Sequence, residues 1–188
     1  MRTLNWFRKA SQSHPTTARR SRSLRPQLEQ AETRLLLSTG LATIEYRGSD
    51  GFLQEQVWGV APNGHLFVHY FNQTGWHTDD HGNANGSAFV GEPSATTYLD
   101  SSGFDQIQVW AVASNGHLYA HYFNRTGWHT DDHGNANGLR FGADPAVTTY
   151  IDSSGFDEVQ VWDVASNGHL YAHYFNRTGW HTDDHGTT

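Results

Sequence analysis

The side chains able to do chemistry are concentrated in one string, Gly-Trp-His-Thr-Asp-Asp-His-Gly, found at residues 75–82, 127–134 and 179–186. Each copy offers two imidazoles, two carboxylates and an indole, and three chemistries suit that set. Imidazole and carboxylate together bind zinc, and oxygen ligands alone bind calcium. An indole face beside hydroxyl-binding groups accepts a sugar. The plain structural alternative is that the Trp packs between elements while the aspartates accept backbone N–H bonds at turns.

Spacing narrows the metal reading. His77 and Asp79, His129 and Asp131, and His181 and Asp183 stand two residues apart, about 6.6 Å on one face of an extended strand, and can chelate jointly. Zinc still requires a third protein ligand. His117 and His121, four residues apart, lie about 13 Å from each other in extended chain and cannot share an ion. The string also lacks the alternating acids of a calcium loop.

The string belongs to a larger repeat. Asn63-Gly64-His65, Asn115-Gly116-His117 and Asn167-Gly168-His169 recur every 52 residues, as do Trp58, Trp110 and Trp162. Residues 96–133 and 148–185 differ at only four positions: Leu99/Ile151, Gln106/Glu158, Ile107/Val159 and Ala111/Asp163. Two units so similar must share one structure. Within the last unit the pattern predicts strands at 146–152, 158–165 and 169–176, with a fourth beginning at Trp180. Asn-Gly between the second and third strands predicts a type I′ hairpin turn. Both faces of the third strand, HLYAHYFN, are largely apolar or aromatic. That suits a sheet covered on both sides, as in a propeller blade.

Composition agrees with short strands and turns: 188 residues, 19 Gly, 13% aromatic and only one Met. No Cys is present, so disulfides and thiolate metal sites are excluded. No apolar run reaches the ~20 residues of a membrane-spanning helix. Residues 1–36 hold eight of the twelve basic residues against Glu29 and Glu32, and the remainder is strongly acidic. An acidic body repels phosphate backbones, so nucleic acid is not an expected partner.

The segment LRPQLEQAETRLLLS (residues 24–38) resembles the leader of surface or exported proteins of planctomycete-type bacteria, with Ala31 and Thr33 departing from the usual Leu and Asp. The resemblance implies a secreted or cell-surface protein whose residues 1–40 form a disordered leader. The stretch DPAVTTYIDSSGFDEVQVWDVASNGHLYAHYFNRTGW (residues 144–180) resembles a blade of the PLL-type bacterial lectins, fucose-binding propellers. The Val-Trp-x-Val…Gly-x-Leu-Tyr…Trp skeleton is shared with tectonin-type propellers. The likeness covers residues 43–188.

The expectation is therefore an all-β chain, a basic leader over 1–40 followed by a repeat domain over 41–188. Its blades fall at about 43–83, 95–135 and 147–188, each four-stranded and antiparallel. The resemblance implies a protein that binds glycans, fucosylated ones included; the near-identical units suit a non-catalytic protein with one weak site per blade or blade junction, and no cofactor is expected. Trp76, Trp128 and Trp180 are the expected sugar plates. Asp79, Asp131 and Asp183 with Asp80, Asp132 and Asp184 are the expected hydroxyl acceptors, and Tyr119 and Tyr171 are further candidates. Catalysis needs neighbouring groups in unlike roles, and near-identical units supply like groups instead. Three blades cannot close a ring, so the expectation is either a fragment of a larger propeller or assembly into a homo-oligomer, a dimer giving six blades. A structural or protein-interaction propeller and a metal-binding repeat stand as alternatives.

Overall fold

A computed structural model describes residues 40–48, 51–99, 104–142 and 144–187. Of the leader expected over 1–40, all but Gly40 lies outside them. The described chain is twelve strands in three four-stranded antiparallel sheets, each built from consecutive strands in simple up-and-down order. Blade one holds β1 (Ala42–Arg47), β2 (Leu53–Val60), β3 (Leu66–Asn72) and β4 (Gly75–Asp80). Blade two holds β5 (Phe89–Leu99), β6 (Asp105–Ala113), β7 (Leu118–Asn124) and β8 (Gly127–Asp132). Blade three holds β9 (Ala146–Ile151), β10 (Asp157–Val164), β11 (His169–Asn176) and β12 (Gly179–Thr187). The first strands β1, β5 and β9 contact one another in succession, as the innermost strands of a propeller do.

The core lies between blades, because each sheet alone has nothing to bury its faces against. One cluster joins Trp58, Leu66 and Val68 of blade one to Ile107, Val109 and Ala111 of blade two. The other joins Trp110, Val112 and Leu118 of blade two to Val159, Val161 and Tyr171 of blade three. We call the face of a blade that meets the preceding blade leading and the face that meets the following blade trailing. Every residue from Ile107 to Ala113 in β6 is buried, because blade two is covered on both faces. In β2 the leading-face Glu55 is exposed and Val57 half-buried, while trailing-face Trp58 is fully buried. In β10 the pattern is inverted: leading-face Val159 and Val161 are buried and trailing-face Trp162 only half-buried. Two outer faces thus lie open, one of each kind.

The turn chemistry differs from expectation in an instructive way. At Asn63-Gly64 only the glycine takes a positive φ, 76°, and Gly64 N–H donates to the Ala61 carbonyl while Ala61 N–H donates to that of His65. The Asn63 side chain caps the turn by accepting from His65 N–H. This is a three-residue hairpin with a left-handed glycine, not the type I′ turn. A Cβ on Gly64 would also sit 2.3 Å from the Ala88 Cβ. Type I′ geometry appears instead at the second Asn-Gly of the first two units, Asn85-Gly86 (51° and 96°) and Asn137-Gly138 (54° and 93°), in the crossing between blades.

Candidate functional site

Two cavities open between blades, and apart from Gly48, which lines only the first, their linings correspond position for position across the 52-residue repeat. The first, about 390 Å³, is walled on the trailing face of blade one by Tyr46, Gln54, Gln56, Val68, Tyr70, Asn72, Asp79 and His81. The leading face of blade two closes it with Ile107, Phe123 and Trp128. The second, about 280 Å³, is walled by Tyr98, Gln106, Gln108, Ala120, Tyr122, Asn124, Asp131 and His133, and closed by Val159, Phe175 and Trp180 of blade three. Each is therefore an aromatic and aliphatic wall facing an amide, phenol, carboxylate and imidazole wall.

Register explains the division. In β3 and β7 the side chains alternate between faces, so Tyr70 and Tyr122 enter the cavities while Tyr119 turns to the leading face. The two adjacent aspartates part in the same way. Asp79 and Asp131 line the cavities, and the Tyr122 hydroxyl donates to Asp131 Oδ2 at 2.9 Å. Asp183 holds the same position in blade three, on the open trailing face, and accepts from Tyr174 at 2.9 Å.

Asp80, Asp132 and Asp184 point the other way and are occupied. Each is 2.9–3.0 Å from Nδ1 of His65, His117 or His169 and accepts from the backbone N–H of Gly82, Gly134 or Gly186. The imidazole bond holds the Asp80 and Asp184 carboxyls below their usual range. At Asp132, burial is the largest single influence and pushes upward, but the bonds from His117, Gly134 N–H and Tyr119 together outweigh it and the shift is also downward. Tyr119 and Tyr171 are buried outside the cavities, donating to Asp132 and Asp184.

The tryptophans serve packing and the cavity together. Trp128 stacks on its own blade's His121 (4.8 Å, 4° between planes) and meets Trp58 of blade one edge-on at 5.3 Å. Trp180 repeats this against His173 (4.9 Å) and Trp110 (5.4 Å). Trp76 stacks on His69 in the same fashion, but among the described residues no blade precedes its own, and the indole is 52% exposed.

The imidazoles of the expected chelating pairs are engaged in their own hairpins. Nε2 of His77, His129 and His181 is 2.7 Å from the hydroxyl of Thr74, Thr126 and Thr178 respectively. Among the described residues no three His, Asp or Glu side chains gather in a way that could hold a metal ion.

Beneath each cavity a histidine pair crosses the blade junction, with His121 Nε2 2.8 Å from His81 Nδ1 and His133 Nδ1 2.9 Å from His173 Nε2. One ring must donate and the other accept, so the pair is satisfied when neutral. Burial, then the neighbouring imidazoles, lowers His121 to about 3, and burial followed by His133 lowers His173 to about 3. Burial lowers His133 to about 4 and lowers His81 as well, against the opposing pull of nearby aspartates. Burial and then the Asp131 bond push the Tyr122 phenol up to about 12, so it stays a donor. Residue type alone does not mark Gln56, Tyr70 and Phe123 with their equivalents as lining, nor His81 as part of a cross-blade pair. The signal available was strand parity, which places Tyr70 and Asp79 on one face once the β3–β4 register is known.

No family model matches the chain, and no curated protein matches it. Among solved structures, the chain is similar to a fucose lectin from Kordia zhangzhouensis determined in complex with methyl-fucoside. The TM-score is 0.60 at 18% identity, over 78% of this chain and 99% of that one. It is also similar to AofleA from Arthrobotrys oligospora, with a TM-score of 0.55 at 14% identity, over 79% of this chain and 56% of that one. At these identities the shared property is the fold.

Proposed function

We infer that this protein is a carbohydrate-binding, lectin-like propeller whose sugar sites are the inter-blade cavities. The observation that carries the reading is the repetition of one lining twice, pairing an apolar aromatic wall with a wall of hydrogen-bonding groups. A pyranose has the matching asymmetry: a C–H face for Trp128 or Trp180 and hydroxyls for Asp79 or Asp131, Gln56 or Gln108, and His81 or His133. A 6-deoxy sugar such as fucose adds a methyl group, which suits Ile107 or Val159 beside the indole. The methyl-fucoside bound by the Kordia protein supports that choice.

Ring closure belongs to the same reading. The open trailing face of blade three presents Trp162 and His185, and the open leading face of blade one presents Trp76 and His69. These are the residues that mate at each internal junction, as Trp58 and His81 do with Trp128 and His121. A second copy set head to tail therefore completes both edges and gives six blades. Several weak sites on one rigid ring then bind multivalent glycans through effective concentration. Binding of glycans outside the cell fits the export that the resemblance of residues 24–38 implies.

The test is a glycan array followed by substitution. Fucosylated glycans are retained by the intact protein, and a variant carrying Asp79→Asn and Asp131→Asn loses them while melting at the same temperature. Retention by that variant would place the sugar elsewhere.

A further inference from the structure

The edges that a second copy would close carry a different chemistry from the internal junctions. Eleven lining positions correspond between the two cavities, and the closing junction can be composed from the open faces position by position. Nine of the eleven keep their aromatic, amide, imidazole, carboxylate or small aliphatic character, including Tyr174, Asp183 and His185 from blade three and Phe71 and Trp76 from blade one. Two change, both to carboxylates. Glu158 replaces Gln54 and Gln106, and Glu55 replaces Ile107 and Val159.

Both glutamates sit where the composition requires. The Tyr150 hydroxyl donates to Glu158 as Tyr98 donates to Gln106. Glu55 lies opposite Phe71 in the β2–β3 register, as Ile107 lies opposite Phe123, and it is exposed on the open leading face. Glu45, its register partner on β1, adds a further acid to that face. The nearby cations have partners of their own. Arg47 donates to the Gly51 carbonyl of its own hairpin at 2.6 Å, and Arg177 lies 3.8 Å from Asp152.

An internal cavity thus has one lining carboxylate, Asp79 or Asp131, and the closing cavity has three, Glu55, Asp183 and Glu158. Carboxylates brought together in a partly desolvated cavity repel and lose hydration, and a cation entering among them relieves both costs. The Trp76 face, brought against a sugar-sized cavity, adds attraction for an ammonium group. Resting on the ring-closure reading, we propose that the junction between two copies forms a second class of site, which takes a sugar bearing a free ammonium group and whose occupancy drives dimerisation. Neutral sugars go to the internal cavities. Because the site exists only in the closed ring, its ligand shifts assembly by mass action.

The probes are glucosamine and N-acetylglucosamine, which share a ring and differ in the charge at one nitrogen. In sedimentation equilibrium of the full chain at fixed pH and ionic strength, glucosamine lowers the dimer dissociation constant by about tenfold or more at saturating concentration. N-acetylglucosamine leaves it unchanged. A variant carrying Glu55→Gln and Glu158→Gln still dimerises, more tightly than the parent, and no longer responds to glucosamine. An undiminished response in that variant, no response in the parent, or the same shift from calcium chloride alone would overturn the proposal. Methyl-fucoside binding, measured on the same samples, reports the internal cavities separately, so loss of the lectin reading and loss of this one give different results.

Discussion

At the scale of single residues, the two aspartates of each repeat have divided their work. Asp79 and Asp131 face a cavity, whereas Asp80 and Asp132 tie the strand 3 entrance to the blade edge through His65 and His117. Asp132→Ala is therefore expected to cost stability, about 1 kcal/mol given its partial exposure, while leaving sugar affinity intact; Asp131→Asn does the reverse. Urea denaturation and calorimetric titration on both variants check the pair. The buried histidines set a pH limit. His81, His121, His133 and His173 are held below the ordinary 6.5, so the unfolded chain takes up protons that the fold refuses. Stability is then full above about pH 6.5 and falls as pH drops toward 4, by up to about 1.4 kcal/mol per pH unit for each histidine. A urea midpoint that holds steady between pH 7 and pH 4.5 would contradict the neutral pairs.

At the scale of strands and blades, equivalent residues differ in what they bear because, among the described residues, the first and third blades are each covered on one face only. Trp128→Ala removes an indole packed between Trp58 and His121 and should cost about 3–5 kcal/mol. Trp76→Ala removes the same side chain from an open face and should cost an isolated chain far less, while abolishing self-association. Thermal melts and sedimentation of the two variants separate these effects. Much at this scale was legible in the sequence: the 52-residue period, the aromatic strands and the glycine turns give three four-stranded blades directly. The type I′ turn was misplaced because an Asn-Gly pair alone does not fix the loop length. Between the second and third strands only the glycine takes a positive φ, in a three-residue hairpin, and type I′ geometry forms at Asn85-Gly86 and Asn137-Gly138 in the crossings between blades. The site was half legible. Trp128 and Asp131 stand out by type, but separating Asp131 from Asp132, or Tyr122 from Tyr119, needs the β7–β8 register and knowledge of which face meets a neighbour. Parity relates residues within a strand and says nothing about which side is the cavity.

At the scale of the whole molecule, the described residues form two inter-blade cavities and leave a half-cavity at each outer face. Raised salt should tighten dimerisation, because it screens the carboxylates of Glu55 and Glu158 while leaving the Trp76 and Trp162 contacts untouched. Sizing between low and high ionic strength tests this. The central claim is that the inter-blade cavities are the sugar sites, and stoichiometry tests it most directly. Isothermal titration with methyl-fucoside should give two equivalent sites per chain in the parent and none in the variant carrying Asp79→Asn and Asp131→Asn, at an unchanged melting temperature. Heat of binding that persists in that folded variant, or its absence in the parent at millimolar ligand, would contradict the account.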